Sequence, residues 1–279
     1  MTRMSALQLE INNRKWQIYK SNARQRGQMV CHLLQSRLAI DGARILDYGC
    51  GEGGTATVLA NAGARVDAVD LDEVQIAALK NAGSHIGGTL NAFRLDDYDF
   101  SRHAHTYDAA ILQDTLEHLN DPRNALKALR SVLRDGGWLY LCTPNRLSVL
   151  NWLADPHYSL PLVALLPRPA VKKVVADLLH WRPPQKTDFP QLLSLQSLHR
   201  LLTTTGFSWR LLQREAFDYA MQNPSSLWNH PWHLSIAAKM HQIGIDRPLA
   251  ALLHNHPDTL NTWLCPSWFV IARADRRCS

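Results

Sequence analysis

Asp114, Glu117 and His118 lie at i, i+3 and i+4 in the stretch Gln113-Asp114-Thr115-Leu116-Glu117-His118-Leu119. On a helix that spacing puts three side chains on one face. Two carboxylates and an imidazole can hold a divalent ion. They can equally take a proton from an acceptor hydroxyl, with His118 as base and Glu117 beside it. A third role is bracing a loop by hydrogen bonds alone. A different chemistry belongs to Asp47-Tyr48-Gly49-Cys50-Gly51-Glu52-Gly53-Gly54. There a carboxylate stands immediately before a run of glycines, where a polar ligand can approach the backbone closely.

These groups need a scaffold. The residues 44–48 read as a short buried strand, the glycines as a tight turn, and 55–62 as a helix. Strand, glycine turn and helix together form a nucleotide site in parallel α/β folds, with helix-start amides facing the ligand. Gly49-x-Gly51-x-x-Gly54 also fits the dinucleotide fingerprint, and Asp70 stands about 20 residues on, where a ribose-binding acid belongs. Asp47 argues for a different ligand. It would repel a pyrophosphate and attract the ammonium of an amino-acid moiety. Asp70 ends the next predicted strand (64–69), and Leu71 beside it is placed to pack on an adenine face. Asp72 reads as the cap of a helix over 73–82.

The glycine segment resembles motif I of the class I S-adenosylmethionine (SAM)-dependent methyltransferases, with Asp47, Gly49 and Gly51 on its core positions and Cys50 between them. The resemblance continues in order along the chain. Gln113 to Leu119 is similar to the "LEH" segment of the ubiquinone-biosynthesis O-methyltransferases, and 133–141 to their Leu-x-x-Gly-Gly turn and fifth strand. The resemblance implies further roles. Asp96, with Asp97 as competitor, would accept from the adenine amino group. Gln113 would line the cofactor pocket. Arg26 would reach the SAM carboxylate. Magnesium on Asp114, Glu117 and His118 is implied too, and so is a small or lipid-like acceptor such as a polyprenyl phenol.

Composition sets wider bounds. The 279 residues are 46% hydrophobic, enough for a sizeable core. Cys31, Cys50, Cys142, Cys265 and Cys278 are scattered without CxxC spacing. That predicts reduced thiols and a cytoplasmic setting. The N-terminus shows no apolar run of signal-peptide type, and no stretch reaches the length of a spanning helix. A net charge of +6 permits an anionic partner without choosing one.

The organisation expected is an N-terminal helical lid (1–40), with Leu7, Ile11, Ile18 and Tyr19 as one apolar set among basic residues. A SAM-binding α/β core (41–145) follows, then an inserted segment (146–190) and completion of the sheet at 191–215 and 264–273. A helical insertion (216–263) carries Trp228, His230, Trp232, His233, His254 and His256, without evident metal-binding spacing. Val171, Val174, Val175, Leu178 and Leu179 form an apolar helical face with Lys172 and Lys173 off it. That face fits an inserted helix packed over the acceptor site, or peripheral contact at the inner face of the membrane. The fold class is α/β, a Rossmann-like, mostly parallel seven-stranded sheet. The function expected is SAM-dependent methyl transfer, at oxygen. The alternatives are an NAD(P)-binding Rossmann oxidoreductase and an RNA-binding methyltransferase. Asp47 and Asp96 argue against the first. The second lacks any recognisable RNA-binding module, so nucleic acid is not the expected partner.

Overall fold

The computed structural model describes residues 22–83, 89–181, 188–227 and 231–275. Leu7, Ile11, Ile18 and Tyr19 lie outside the described residues, as do Trp228, His230 and the side chains of Trp232 and His233.

Helix α1 (Ala23–Gln35) buries Met29, Val30, Leu33 and Leu34 on one face. Strand β1 (Arg44–Tyr48), helix α2 (Gly54–Asn61), β2 (Arg65–Asp70), α3 (Glu73–Gly83) and β3 (Thr89–Arg94) follow. Next come β4 (Tyr107–Gln113), α4 (Pro122–Val132) and β5 (Leu133–Pro144). Asp121 caps α4 by accepting from the Asn124 N–H, and Pro122 stands at its first position. The glycine pair before β5 was expected as a turn ahead of the strand. The ladder instead begins at Leu133 opposite Tyr107 and resumes at Trp138 opposite Ala109. The intervening residues bulge out through Gly136 at positive φ.

The seven strands run in the order β3-β2-β1-β4-β5-β7-β6, where β6 is Phe207–Leu211 and β7 is Ser267–Ala274. Strand β7 is antiparallel to both of its neighbours. Side chains alternate between two cores. Ile45, Ala109, Ile111, Tyr140 and Ile271 face α1, α2 and α3. Leu46, Ala110, Leu112, Leu139 and Val270 face α4 and its neighbours. Strands covered on both faces are buried continuously, as parallel sheets require.

Helices α1 and α2 meet backbone to backbone. A Cβ on Gly27 would lie 2.8 Å from both the Gly54 carbonyl oxygen and the Thr55 Cα. Gly27→Ala should therefore lower stability by about 1–3 kcal/mol through overpacking. The test is the urea midpoint at unchanged m-value; an unmoved midpoint would mean that α1 yields without cost.

Between β5 and β6 the chain forms α5 (Val149–Leu153), α6 (Arg168–Lys172), a π-helical turn at Lys173–Leu178, and α7 (Leu195–Thr204). The apolar face at 171–179 is divided, with Leu178 left exposed at its far end. Val171 and Val175 are buried against Tyr158, Val163 and Phe189. The segment is amphipathic as its periodicity predicts, and the partners of its buried residues come from the same insertion. Between β6 and β7 stand α8 (Gln213–Gln222), α9 (Pro231–Gln242), α10 (Asp246–Leu252) and α11 (Thr259–Leu264). Among the described residues no helix is long and apolar enough to cross a membrane.

Candidate active site

The chemistry-bearing side chains gather where the strands end at their carboxyl edge, around the reversal of strand order between β1 and β4. That is where open α/β sheets bind ligands. After β1 the chain turns at Gly49, whose φ is +79°. A Cβ there would fall 2.5 Å from the Thr115 side chain, so the glycine turn seats directly against the loop after β4. Asp47 is buried, and its Oδ2 has no hydrogen-bond partner. Burial, reinforced by the Asp70 charge and opposed by the Ala56 N–H, pushes its pKa up to about 7. Such an oxygen is costly unless a ligand pairs with it.

Asp70 closes β2 and accepts from the Gly51 and Asp72 backbone N–H groups, each at 2.9 Å. Its carboxylate braces the glycine turn while keeping acceptor capacity. Leu71 beside it is exposed. The Cys50 thiol is half-buried and contacts the Gly51 carbonyl at 3.7 Å. Burial and the charges of Asp47 and Asp70 raise its pKa, so it is not a nucleophile. Gln113 accepts from Thr55 Oγ1 at 3.0 Å, tying β4 to the start of α2. Arg26 on α1 acts electrostatically on Cys142 of β5, so it stands near the same edge. Asp96 is exposed after β3 and ion-paired with Arg94 at 2.7 Å.

A second group lies beyond β4. Asp114, Glu117 and His118 do not share the α-helical face that their spacing predicts. Asp114 has a φ of +50°, and only Leu116–His118 forms a single 3-10 turn. The set that converges is Glu117, His118 and His157, with donor atoms within 4.8 Å of one another. Asp114 is not one of them; its carboxylate takes a hydrogen bond from the Cys142 thiol. Glu117 is buried, Oε2 accepts from Thr143 Oγ1 at 2.9 Å, and Oε1 has no hydrogen-bond partner. His118 Nε2 and His157 Nε2 each stand 4.0 Å from that Oε1. Burial and the Asp114 charge raise the Glu117 pKa to about 7.

His118 Nδ1 meets Asp188 Oδ1 at 2.8 Å. Because a carboxylate can only accept, Nδ1 carries a proton, and in the neutral ring Nε2 keeps its lone pair. Burial by itself would lower the His118 pKa. The Asp188 hydrogen bond and the charges of Glu117, Asp188 and Asp114 outweigh it and raise the value. The insertion is fastened here by Arg168, which donates to the Glu117 and Leu119 carbonyls at 2.9 Å and to Asn120 Oδ1 at 2.6 Å. One carboxylate and two imidazoles do not fit magnesium, which takes hard oxygen ligands in octahedral order. They do fit the handling of a proton.

Thr55, His157 and Asp188 escaped the sequence reading. Thr55 had a local signal, a hydroxyl in the first turn of the helix after the glycines. His157 and Asp188 had none, because they reach Glu117 and His118 only through the folding of the insertion.

The chain matches the methyltransferase-domain family over residues 22–212. It belongs to that family. Over 113 residues the methyltransferase is 35% identical to the ubiquinone biosynthesis O-methyltransferase of Xanthomonas campestris pv. campestris (strain B100), covering 40% of this chain and 47% of that one. Over 146 residues it is 30% identical to the corresponding protein of Citrobacter koseri, covering 50% of this chain and 60% of that one. It thus spans about half the length of the curated relatives it matches. A SAM-dependent methyltransferase from Mesorhizobium loti has the same fold at 19% identity and a TM-score of 0.52, over 86% of this chain and 95% of that one. Another, from Methanosarcina mazei, does so at 17% identity and a TM-score of 0.52, over 88% and 98%. SAM is the cofactor of this methyltransferase family, and the fold is that of class I.

Proposed function

We propose that this methyltransferase moves the methyl group of SAM to an oxygen of a small or lipid-like acceptor, with His118 taking the hydroxyl proton. The observation that carries the reading is the His118–Asp188 pair beside buried Glu117. An imidazole with Nδ1 anchored and Nε2 accepting is a general base in the correct tautomer. When bound, SAM supplies an already electrophilic sulfonium methyl. The protein's task is then to align donor and acceptor and to receive the proton.

The residues fit SAM at several points. The partnerless Asp47 oxygen suits the amino group of its methionine part. Asp70 suits the ribose hydroxyls, and Gly49, Cys50 and Gly51 the close backbone approach. Leu71 and Asp96 suit the adenine, Asp96 by exchanging its Arg94 partner. Gln113 and Arg26 complete the proposed pocket. Asp70→Ala should weaken SAM binding by about 1–3 kcal/mol, the scale of hydrogen bonds to a charged group. Calorimetry on the folded variant checks this; unchanged affinity would move the ribose contact elsewhere.

The names of the curated relatives suggest a ubiquinone-type polyprenyl phenol as acceptor. An exposed apolar surface supports a lipid-like one. Helices α5 and α11 lie side by side through Trp152 and Trp263, whose rings meet edge-on at 5.0 Å. They leave Leu150, Leu153, Leu260 and Leu264 exposed. That surface, rather than the 171–179 face, is the proposed site of peripheral membrane contact. A mass-spectrometric screen of SAM with polyprenyl phenols, small phenols and glycolipids tests the acceptor class. Tight NAD binding with no SAM binding would sink the whole reading.

A further inference from the structure

The loop between α10 and α11 presents a second set of ligating side chains. His254, His256 and Asp258 bring their donor atoms within 4.8 Å of one another. Sequence spacing alone did not mark them, but the fold shows why they converge. Asn261 is fully buried, and its Nδ2 donates to the His254 carbonyl at 2.7 Å and to the His256 carbonyl at 3.2 Å. Pinning these two carbonyls sets the imidazoles side by side. Their rings stack at 4.9 Å between centroids and 5° between planes. Asp258 caps α11, its Oδ1 accepting from the Asn261 N–H at 2.6 Å. Its Oδ2 turns back to His254 Nδ1 at 2.6 Å.

We propose that His254, His256 and Asp258 form a binding site for a divalent cation of the zinc type. Two imidazoles and one carboxylate suit zinc and its neighbours in the transition series, not calcium or magnesium. Zinc bonds of about 2.0–2.2 Å require donors roughly 3–3.5 Å apart. The two imidazoles are exposed, so side-chain rotation can close the remaining distance of up to about 1–2 Å. The ion would take the place of the hydrogen between His254 Nδ1 and Asp258, the neutral ring then carrying its proton on Nε2. A fourth position faces solvent. Asp258 also lines an open surface depression with Leu195, Thr262 and Trp263. Bound metal would tie the 254–258 loop to the start of α11, just ahead of β7.

The test is calorimetric titration of Zn²⁺ into the full chain, beside H256A and the double variant H254A/H256A. Any uptake at Glu117, His118 and His157 is common to the three proteins and cancels. The parent should bind one equivalent more than the double variant. H256A should weaken that equivalent by about tenfold or more. The variants' melting in EDTA should match the parent, since both imidazoles are exposed. If the double variant melts lower, H256A and H256Q decide the matter by loss of the zinc-induced rise in melting temperature. Equal stoichiometry in parent and folded variants, or no zinc uptake by the parent at micromolar concentration, would overturn the site.

Discussion

His118→Ala should lower turnover by about 10²- to 10⁴-fold, the range for losing a general base, with SAM affinity nearly unchanged. The split follows from where His118 sits. Its imidazole pairs with Asp188 and stands beside Glu117 and His157, whereas Asp70 is the carboxylate that braces the glycine turn. A base must be neutral to act, so activity should fall as pH drops through the His118 pKa. That pKa is raised above 6.5, because the Asp188 bond and nearby carboxylates outweigh the burial that opposes them. The acid limb should therefore stand above 6.5 and move down in Asp188→Asn, which removes the main raising partner. A positioning role for Asp188 predicts this shift in the pH profile; a merely structural role does not. Turnover of the His118 variant within about threefold of the parent, well below the general-base range, would remove His118 from the chemistry.

SAM affinity should rise about tenfold for each pH unit up to about 7 and then level off. Without ligand, the buried Asp47 carboxyl holds its proton up to about 7, chiefly through burial and secondly through the Asp70 charge. An ammonium partner favours the ionised form, so binding below that pH must expel a proton. Between pH 5 and 7 the expected change is about a hundredfold. Asp47→Asn should bind weakly and lose the slope. Calorimetry in buffers of different ionisation enthalpy counts the released proton, and a flat profile would place the amino group away from Asp47. The same shift has a stability consequence with the opposite sign. Asp47 and Glu117 hold protons in the native state after the unfolded chain has released them. The ligand-free protein should therefore be more stable at low pH and lose that share as pH rises from about 4 towards about 7, which urea titration at stepped pH checks.

Much of the geometry on the proposed cofactor side was legible in the sequence for a local reason. Asp47, Gly49 and Gly51 lie within one strand-to-helix turn, and Asp70 ends the adjacent parallel strand. A parallel sheet whose strands are joined by short helices puts successive strand ends side by side, so motif order along the chain becomes proximity in space. The same logic gave the sheet its strands and its class, including the delayed return of β7.

The proposed proton-handling side was decided by tertiary structure. The triple Asp114, Glu117 and His118 assumed a helical period, but Asp114 turns through positive φ and leaves the face. Its place is taken by His157, and His118 finds Asp188 across 70 residues of chain. Nothing local encodes those meetings. They depend on Arg168 fastening the insertion to the 117–120 loop and on Val171 and Val175 packing within the insertion, while Leu178 of the same face stays exposed. Sequence periodicity shows that a face is apolar, whereas only packing determines what covers it, because burial is non-directional and takes the nearest complementary surface.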